Sequence, residues 1–202
     1  RKAATDKLKQ QAEELQRLHA ALKEQASRDS LTGLLNRRAF QELAAQMLKT
    51  AHRRQENIAL FMIDLDHFKQ VNDRYGHAEG DRALRRVGET LLATARENDI
   101  VARFGGEEFV MVLLGVDEAE SLVAAERVRT AIAAISDTQV PIRASIGVAE
   151  LRPRRHKSDV DAELDKLLGQ ADRALYTAKR TGRNRVCHIL HLPEAADPAP
   201  SP

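Results

Sequence analysis

Four carboxylates stand at a strand end or beside glycines, where chemistry is commonly placed. Asp64 and Asp66 close an apolar run that begins at Ile58, and Glu107 and Glu108 directly follow Gly105 and Gly106. If the two segments are neighbouring strands, about 4.8 Å apart, Asp64 and the two glutamates can converge. Converging carboxylates repel unless something positive lies between them. Magnesium suits such a group, because it takes one or two carboxylates and completes its shell with water and phosphate oxygens. A single acidic residue at a strand end is usually a solvated loop residue. Gly105-Gly106 weakens that bland reading, since a backbone without Cβ atoms can approach a phosphate closely.

A second set follows the first acidic pair. Lys69 could pair with phosphate. Asn72 and Asp81 could read a base edge, since a carboxylate accepts both N–H groups on the pairing edge of guanine. Taken alone, Asp81 is better explained as a helix N-cap, and the helical pattern does not settle the choice.

These residues need a scaffold, and the apolar periodicity supplies one. Helices are expected over residues 37 to about 55, 68–75, 81–96, 119–135 and 159–181, and Gly182 stops the last of these. Strands are expected over 58–65, 100–104, 109–114, 142–149 and 184–192, with a tight hairpin at 105–108. Helices and strands interleave, yet the central pair is a hairpin, so the sheet cannot be all parallel. The expected fold is α+β, with helices flanking a mainly antiparallel sheet.

Residues 1–28 contain no Gly or Pro, and Leu8, Leu15 and Leu22 recur every seven positions, with Leu18 adding a second apolar position. That is a short helix with a coiled-coil stripe; packing on its own domain is the plainer alternative. Residues 29–192 form the main domain. The tail 193–202, with its prolines and no apolar pattern, is expected to be disordered. The basic stretch 152–157 reads as a solvated connection.

Composition excludes several classes. Of 202 residues, 43% are hydrophobic and 31% charged, which is enough apolar material for a core. The net charge is +2, and five Phe and two Tyr are the only aromatic residues, which argues against a dedicated nucleic-acid binder. A single cysteine, Cys187, excludes an intramolecular disulfide and fits a reducing cytoplasm. No apolar run is long enough to span a bilayer, and no signal segment opens the chain. The first residue is Arg1 rather than Met, so the chain is expected to be part of a longer protein.

Six ordered motifs resemble one family. They are Asp29-Ser-Leu-Thr-Gly-Leu-Leu-Asn-Arg-Arg38, Asp64-Leu-Asp-His-Phe-Lys-Gln-Val-Asn-Asp73, Gly76-His77 with Gly80-Asp81, Arg103-Phe-Gly-Gly-Glu-Glu-Phe109, Ala144-Ser-Ile-Gly-Val148, and the segment from Ala171 to Asn184. Together they look like the GGDEF-domain diguanylate cyclases over about residues 27 to 190, with the hairpin in the GGEEF variant. The resemblance implies a sheet similar to the nucleotide cyclase and polymerase palm. It also implies that two GTP molecules, one on each of two facing domains, condense to cyclic di-GMP with release of pyrophosphate.

Carried over by position, Asp64, the Leu65 carbonyl and Glu107 would hold magnesium, with manganese the alternative. Glu107, Glu108 and Lys69 would form the catalytic set, Glu108 as a second acidic ligand or base. The Phe68 backbone, Lys69, Lys179 and Arg183 would contact phosphates. Asn72 and Asp81 would bind guanine, and Gly105 and Gly106 would lie against the nucleotide. Arg96 and Asp99, on the strand leading into the hairpin, match the family's inhibitory RxxD motif for the product cyclic di-GMP, with Arg127 as a second arginine. The resemblance further implies a homodimer through the N-terminal helix and an upstream sensor domain. Competing readings are a non-catalytic module that senses cyclic di-GMP or GTP, and a cyclase making a mixed guanine–adenine product, which Asp81 disfavours.

Overall fold

The computed structural model describes residues 11, 14, 16, 17, 26–153 and 159–192. Gln11, Glu14, Gln16 and Arg17 are helical and exposed, while Leu8, Leu15, Leu18 and Leu22, most of the basic stretch and the tail 193–202 lie outside the described residues.

Along the chain run α1 (Arg37–Arg54), β1 (Ile58–Leu65), α2 (Phe68–Tyr75), α3 (His77–Thr94), β2 (Ile100–Arg103), β3 (Glu108–Leu114), α4 (Glu118–Ala133), β4 (Ala144–Leu151), α5 (Val160–Arg180) and β5 (Val186–His188), then a 3-10 turn at Ile189–His191. The sheet order is β2-β3-β1-β4-β5. β1 pairs antiparallel with both β3 and β4, β2 pairs antiparallel with β3, and β4 pairs parallel with β5. The expected mainly antiparallel sheet is therefore present, with one parallel edge.

Every residue of β1 is buried, because helices cover both faces of the sheet. Successive strand residues point to opposite faces. Ala59, Phe61 and Ile63 pack with Leu84, Val87 and Leu91 of α3 and Val128 and Ile132 of α4. Ile58, Leu60 and Met62 pack with Phe40 and Leu48 of α1 and with Leu164, Leu167 and Leu175 of α5. The same parity puts Asp64 on the α5 face.

Four expectations change. α3 starts at His77 rather than at Asp81, so Asp81 lies inside the helix and is not its N-cap; Gly76 takes that position with φ +83°, a conformation suited to glycine. β4 starts at Ala144 and runs to Leu151 rather than ending at Ala149. β5 is three residues long rather than nine: Asn184 has φ +44° and cannot extend the strand, and the chain turns into the 3-10 segment after His188. Arg96 and Asp99 lie in the turn before β2, not on the strand.

Candidate active site at the carboxyl end of β1

Asp64 sits one residue before the end of β1, directly opposite Glu108 on β3 and Ser145 on β4. It is only 4% exposed. The Leu65 amide donates to the Glu107 carbonyl, so the ladder continues into the hairpin and brings Glu107 beside the strand end. Lys179, expected on phosphate, instead brings its positive charge to these carboxylates, with Nζ 2.8 Å from Asp64 Oδ2. Burial, helped by the Asp66 charge, lifts the Asp64 carboxyl above its ordinary 3.8 against the pull of Lys179 and Arg183. Burial also lifts Glu107 above 4.5, with the charges of Asp64 and Glu108 adding to it and Lys179 opposing. The two shifts record a crowded, partly desolvated acidic site that a further cation would relieve.

Lys179 reaches Asp64 because α5 lies unusually close to β4. A Cβ on Gly147 would stand 2.0 Å from the Ala171 carbonyl oxygen and 2.3 Å from the Leu175 nitrogen. Lys179 is one helical turn beyond Leu175. Its neighbour Arg183 lies past the helix end in a left-handed turn with Asn184, at φ +58° and +44°. Asp66 holds that turn: its Oδ2 accepts from the Asn184 amide at 2.9 Å and its Oδ1 from Ser145 Oγ at 2.7 Å.

Neither hairpin glycine has a positive φ, and of the two only Gly105 is short of space. A Cβ on Gly105 would meet Glu108 Oε2 at 2.4 Å, so Glu108 folds across that glycine. Gly106 has open space around it, and its carbonyl accepts from Arg103 Nη2 at 2.7 Å and Nε at 3.2 Å. Arg103 Nη1 donates to both oxygens of Asp29, at 3.1 and 3.2 Å. Asp29 also accepts from the Thr32 amide and hydroxyl at 2.9 and 2.7 Å. Two charged residues 74 positions apart thus tie the start of the domain to the Gly105-Gly106 hairpin. The sequence reading placed both in family motifs but assigned no role to Arg103, Asp66 or Gly147.

On the other side of Asp64, α2 begins with no side-chain cap from His67, which leaves its first-turn amides, Phe68 and Lys69 among them, without that partner. Lys69 is exposed and Phe68 is buried. Asn72, on the same helix, packs its side chain onto Gly80, where a Cβ would stand 1.9 Å from Oδ1. Gly80 precedes Asp81, so the two residues expected to read a base share one small patch. The buried Glu79 accepts from the Gln139 amide at 2.7 Å and fixes the loop behind that patch.

Arg96, Asp99 and Arg127 form a separate group. The Arg96 amide donates to Asp99 Oδ2 at 2.7 Å, and Arg127 donates to the Thr94 carbonyl at 3.3 Å. Burial raises the Asp99 carboxyl above 3.8, and the charges of Arg96 and Arg127 oppose it, which puts all three within electrostatic reach.

A mainly antiparallel sheet flanked by helices, with acids at a strand end beside a glycine hairpin, has the architecture of a palm-like α+β domain. The profile described as diguanylate cyclase, GGDEF domain, matches residues 26–185, and the chain belongs to that family. The chain is 40% identical over 176 residues to the diguanylate cyclase DgcM of Escherichia coli K12, covering 86% of this chain and 41% of that protein. It is 37% identical over 163 residues to the E. coli diguanylate cyclase DosC, covering 78% of this chain and 34% of that one. The chain therefore spans less than half the length of these curated relatives. Among solved structures, the coiled coil and GGDEF domain of DgcB from Caulobacter crescentus, in complex with c-di-GMP, superposes with a TM-score of 0.79 at 28% identity, covering 93% of this chain and 98% of that one. The active GGEEF domain of a diguanylate cyclase from Vibrio cholerae superposes with a TM-score of 0.69 at 31% identity, covering 77% and 97%.

Proposed function

We propose that this chain is the catalytic part of a diguanylate cyclase that joins two GTP into cyclic di-GMP and two pyrophosphates. The observation that carries the reading is the buried Asp64 carboxylate, held with Glu107 and Glu108 at the end of β1 and balanced by Lys179 at 2.8 Å. Hard oxygen donors crowded in this way fit magnesium, and manganese in its place. Asp64, the Leu65 carbonyl and Glu107 would hold the ion. A bound ion there would supply positive charge against the negative charge that develops on the triphosphate during transfer.

The chain's own residues do the remaining work. Lys179 exchanges Asp64 for a phosphate oxygen when substrate arrives, and Arg183 adds a second cation. The first-turn amides at Phe68 and Lys69, with the Lys69 ammonium, hold the distal phosphates at a helix N-terminus. Asn72 and Asp81 accept and donate on the guanine edge. Gly105 and Gly106 let the hairpin lie against the nucleotide, and Glu108 serves as a second acidic ligand or base. The 3′-hydroxyl of one GTP must reach the α-phosphate of the other, so one domain offers half a site and a homodimer is needed. The Leu8, Leu15, Leu22 stripe would pair two copies, and an upstream sensor domain would act through it. A cytoplasmic location, where GTP is available, belongs to the same reading.

Arg96, Asp99 and Arg127 would take the product at a second site. Arginine forks onto guanine and phosphate, and the aspartate accepts guanine N–H groups. Their mutual proximity in the structure supports this role. Arg96→Ala should then sustain synthesis to higher product levels with little change in initial rate.

Asp64→Asn and Glu107→Gln should each abolish product formation in magnesium while the far-ultraviolet spectrum stays that of the parent. Parental turnover by Glu107→Gln would remove the metal assignment.

A further inference from the structure

At the opposite end of the sheet, α4, β4 and the segment after β5 bring together four side chains that the proposed reaction does not use. Glu118 stands in the first turn of α4, Glu150 near the end of β4, His188 at the end of β5 and His191 in the 3-10 turn. One ligand atom from each of Glu118, His188 and His191 lies within 4.8 Å of the others. His191 Nε2 is 2.7 Å from Glu118 Oε1, and the two imidazole centroids are 5.3 Å apart. Beneath them His188 is 1% exposed and the Glu150 side chain 4%.

The buried pair is incompletely bonded. Glu150 Oε1 accepts from Ser121 Oγ at 2.6 Å, but Glu150 Oε2 and His188 Nε2 are buried without a hydrogen-bond partner. Nε2 stands 3.6 Å from Glu150 Oε1, too far for a hydrogen bond. Buried polar atoms are rarely left unpaired without a reason, and an ion is one of the few available.

We propose that Glu118, His188 and His191, with Glu150 behind them, bind a divalent transition-metal ion with the ligand preferences of zinc. Two imidazoles with carboxylates favour zinc, whereas magnesium prefers carboxylates, carbonyls and water. The site is distinct from the nucleotide end of the sheet: Ser145, opposite Asp64, and Glu150 are five residues apart on β4, roughly 17 Å at about 3.3 Å per residue. An ion here would pin the segment after β5 to the start of α4.

One local change accompanies binding. The Leu190 amide donates to His188 Nδ1 at 3.2 Å, so the neutral ring carries its proton on Nε2. Coordination through Nε2 moves that proton to Nδ1, and the Leu190 amide must turn away. The 3-10 turn therefore shifts, which also opens the His191–Glu118 pair toward the ion.

The test is a cobalt(II) titration of the tag-free, chelator-treated chain in excess magnesium, followed by displacement with zinc. One cobalt per chain should give the intense visible bands of a low-coordinate site, bleach with zinc, and shift the Leu190 amide resonance. His191→Ala and Glu118→Gln change side chains at the rim and should each weaken cobalt binding at least about tenfold. Asp64→Asn should leave the bands in place. No visible bands in the parent, parental cobalt affinity in both His191→Ala and Glu118→Gln, or bands lost in Asp64→Asn would each overturn the proposal.

Discussion

Replacing Gly147 by alanine tests how the backbone aims the site's chemistry. The added Cβ would lie 2.0 Å from the Ala171 carbonyl oxygen, 2.3 Å from the Leu175 nitrogen and 2.8 Å from the Leu175 Cα. All three are backbone atoms and cannot rotate aside. Ordinary contact begins near 3.4 Å, so α5 must move away by about 1.4 Å. Overpacking of this kind typically costs about 1–3 kcal/mol, and a backbone clash belongs at the upper end. In a domain of this size ~3 kcal/mol lowers Tm by roughly 6–12 °C. The same movement carries Lys179 away from its 2.8 Å contact with Asp64. A misplacement on the order of 1 Å can cost about a hundredfold in rate. Gly169 supplies the control: it lies in the same helix with nothing within 4 Å of its would-be Cβ. Gly169→Ala should stabilise by about 0.5–1 kcal/mol through helix propensity and leave activity alone. Thermal unfolding followed by circular dichroism, with cyclase rates taken well below Tm, reads both effects. A Gly147→Ala protein with parental Tm and rate would refute the close-packing argument.

The Asp29–Arg103 clamp should be visible as a pH dependence. Burial alone would raise the Asp29 carboxyl, but hydrogen bonds from Thr32 and Arg103 outweigh it and hold the group below 3.8. A lowered folded-state value stabilises fully above 3.8 and is lost as pH falls through the folded value. The Tm difference between parent and Asp29→Asn should therefore be largest near neutrality and shrink toward zero in acid; a constant difference would contradict the clamp. Asp81→Ala should lose discrimination between GTP and ATP in competition assays, since adenine presents an acceptor where guanine presents N1–H; unchanged selectivity would return Asp81 to a purely helical role. A chain starting at Ser27 should lose activity at low protein concentration and regain it at high concentration, because a short tether raises effective concentration to roughly millimolar.

Much of this architecture was legible because its signals are local. The unbroken apolar run of β1 and the helical spacing of Leu164, Leu167, Ala171 and Leu175 mark buried elements by periodicity. The start of α3 was not legible: its inward apolar spacing begins only near Leu84, whereas the helix starts at His77 and carries Gly80 inside it, where the Asn72 side chain needs the room. β5 was overextended because its apolar residues continue to Leu192, while Asp66, 118 positions away, bonds Asn184 into a left-handed turn. Lys179 as the partner of Asp64, the Arg103 clamp and the close approach at Gly147 are contacts across the sheet, and no spacing along the chain announces them. The carboxylates themselves were legible, because strand-end acids and a glycine pair are local features.

Mass analysis of what the purified chain makes from GTP in magnesium reads the proposed chemistry itself. Cyclic di-GMP with two pyrophosphates per molecule is expected, at a rate that climbs steeply with protein concentration and vanishes in Asp64→Asn. GTP recovered intact at concentrations where the chain is dimeric and binds nucleotide would contradict it, and would leave a binding module with the fold but not the chemistry.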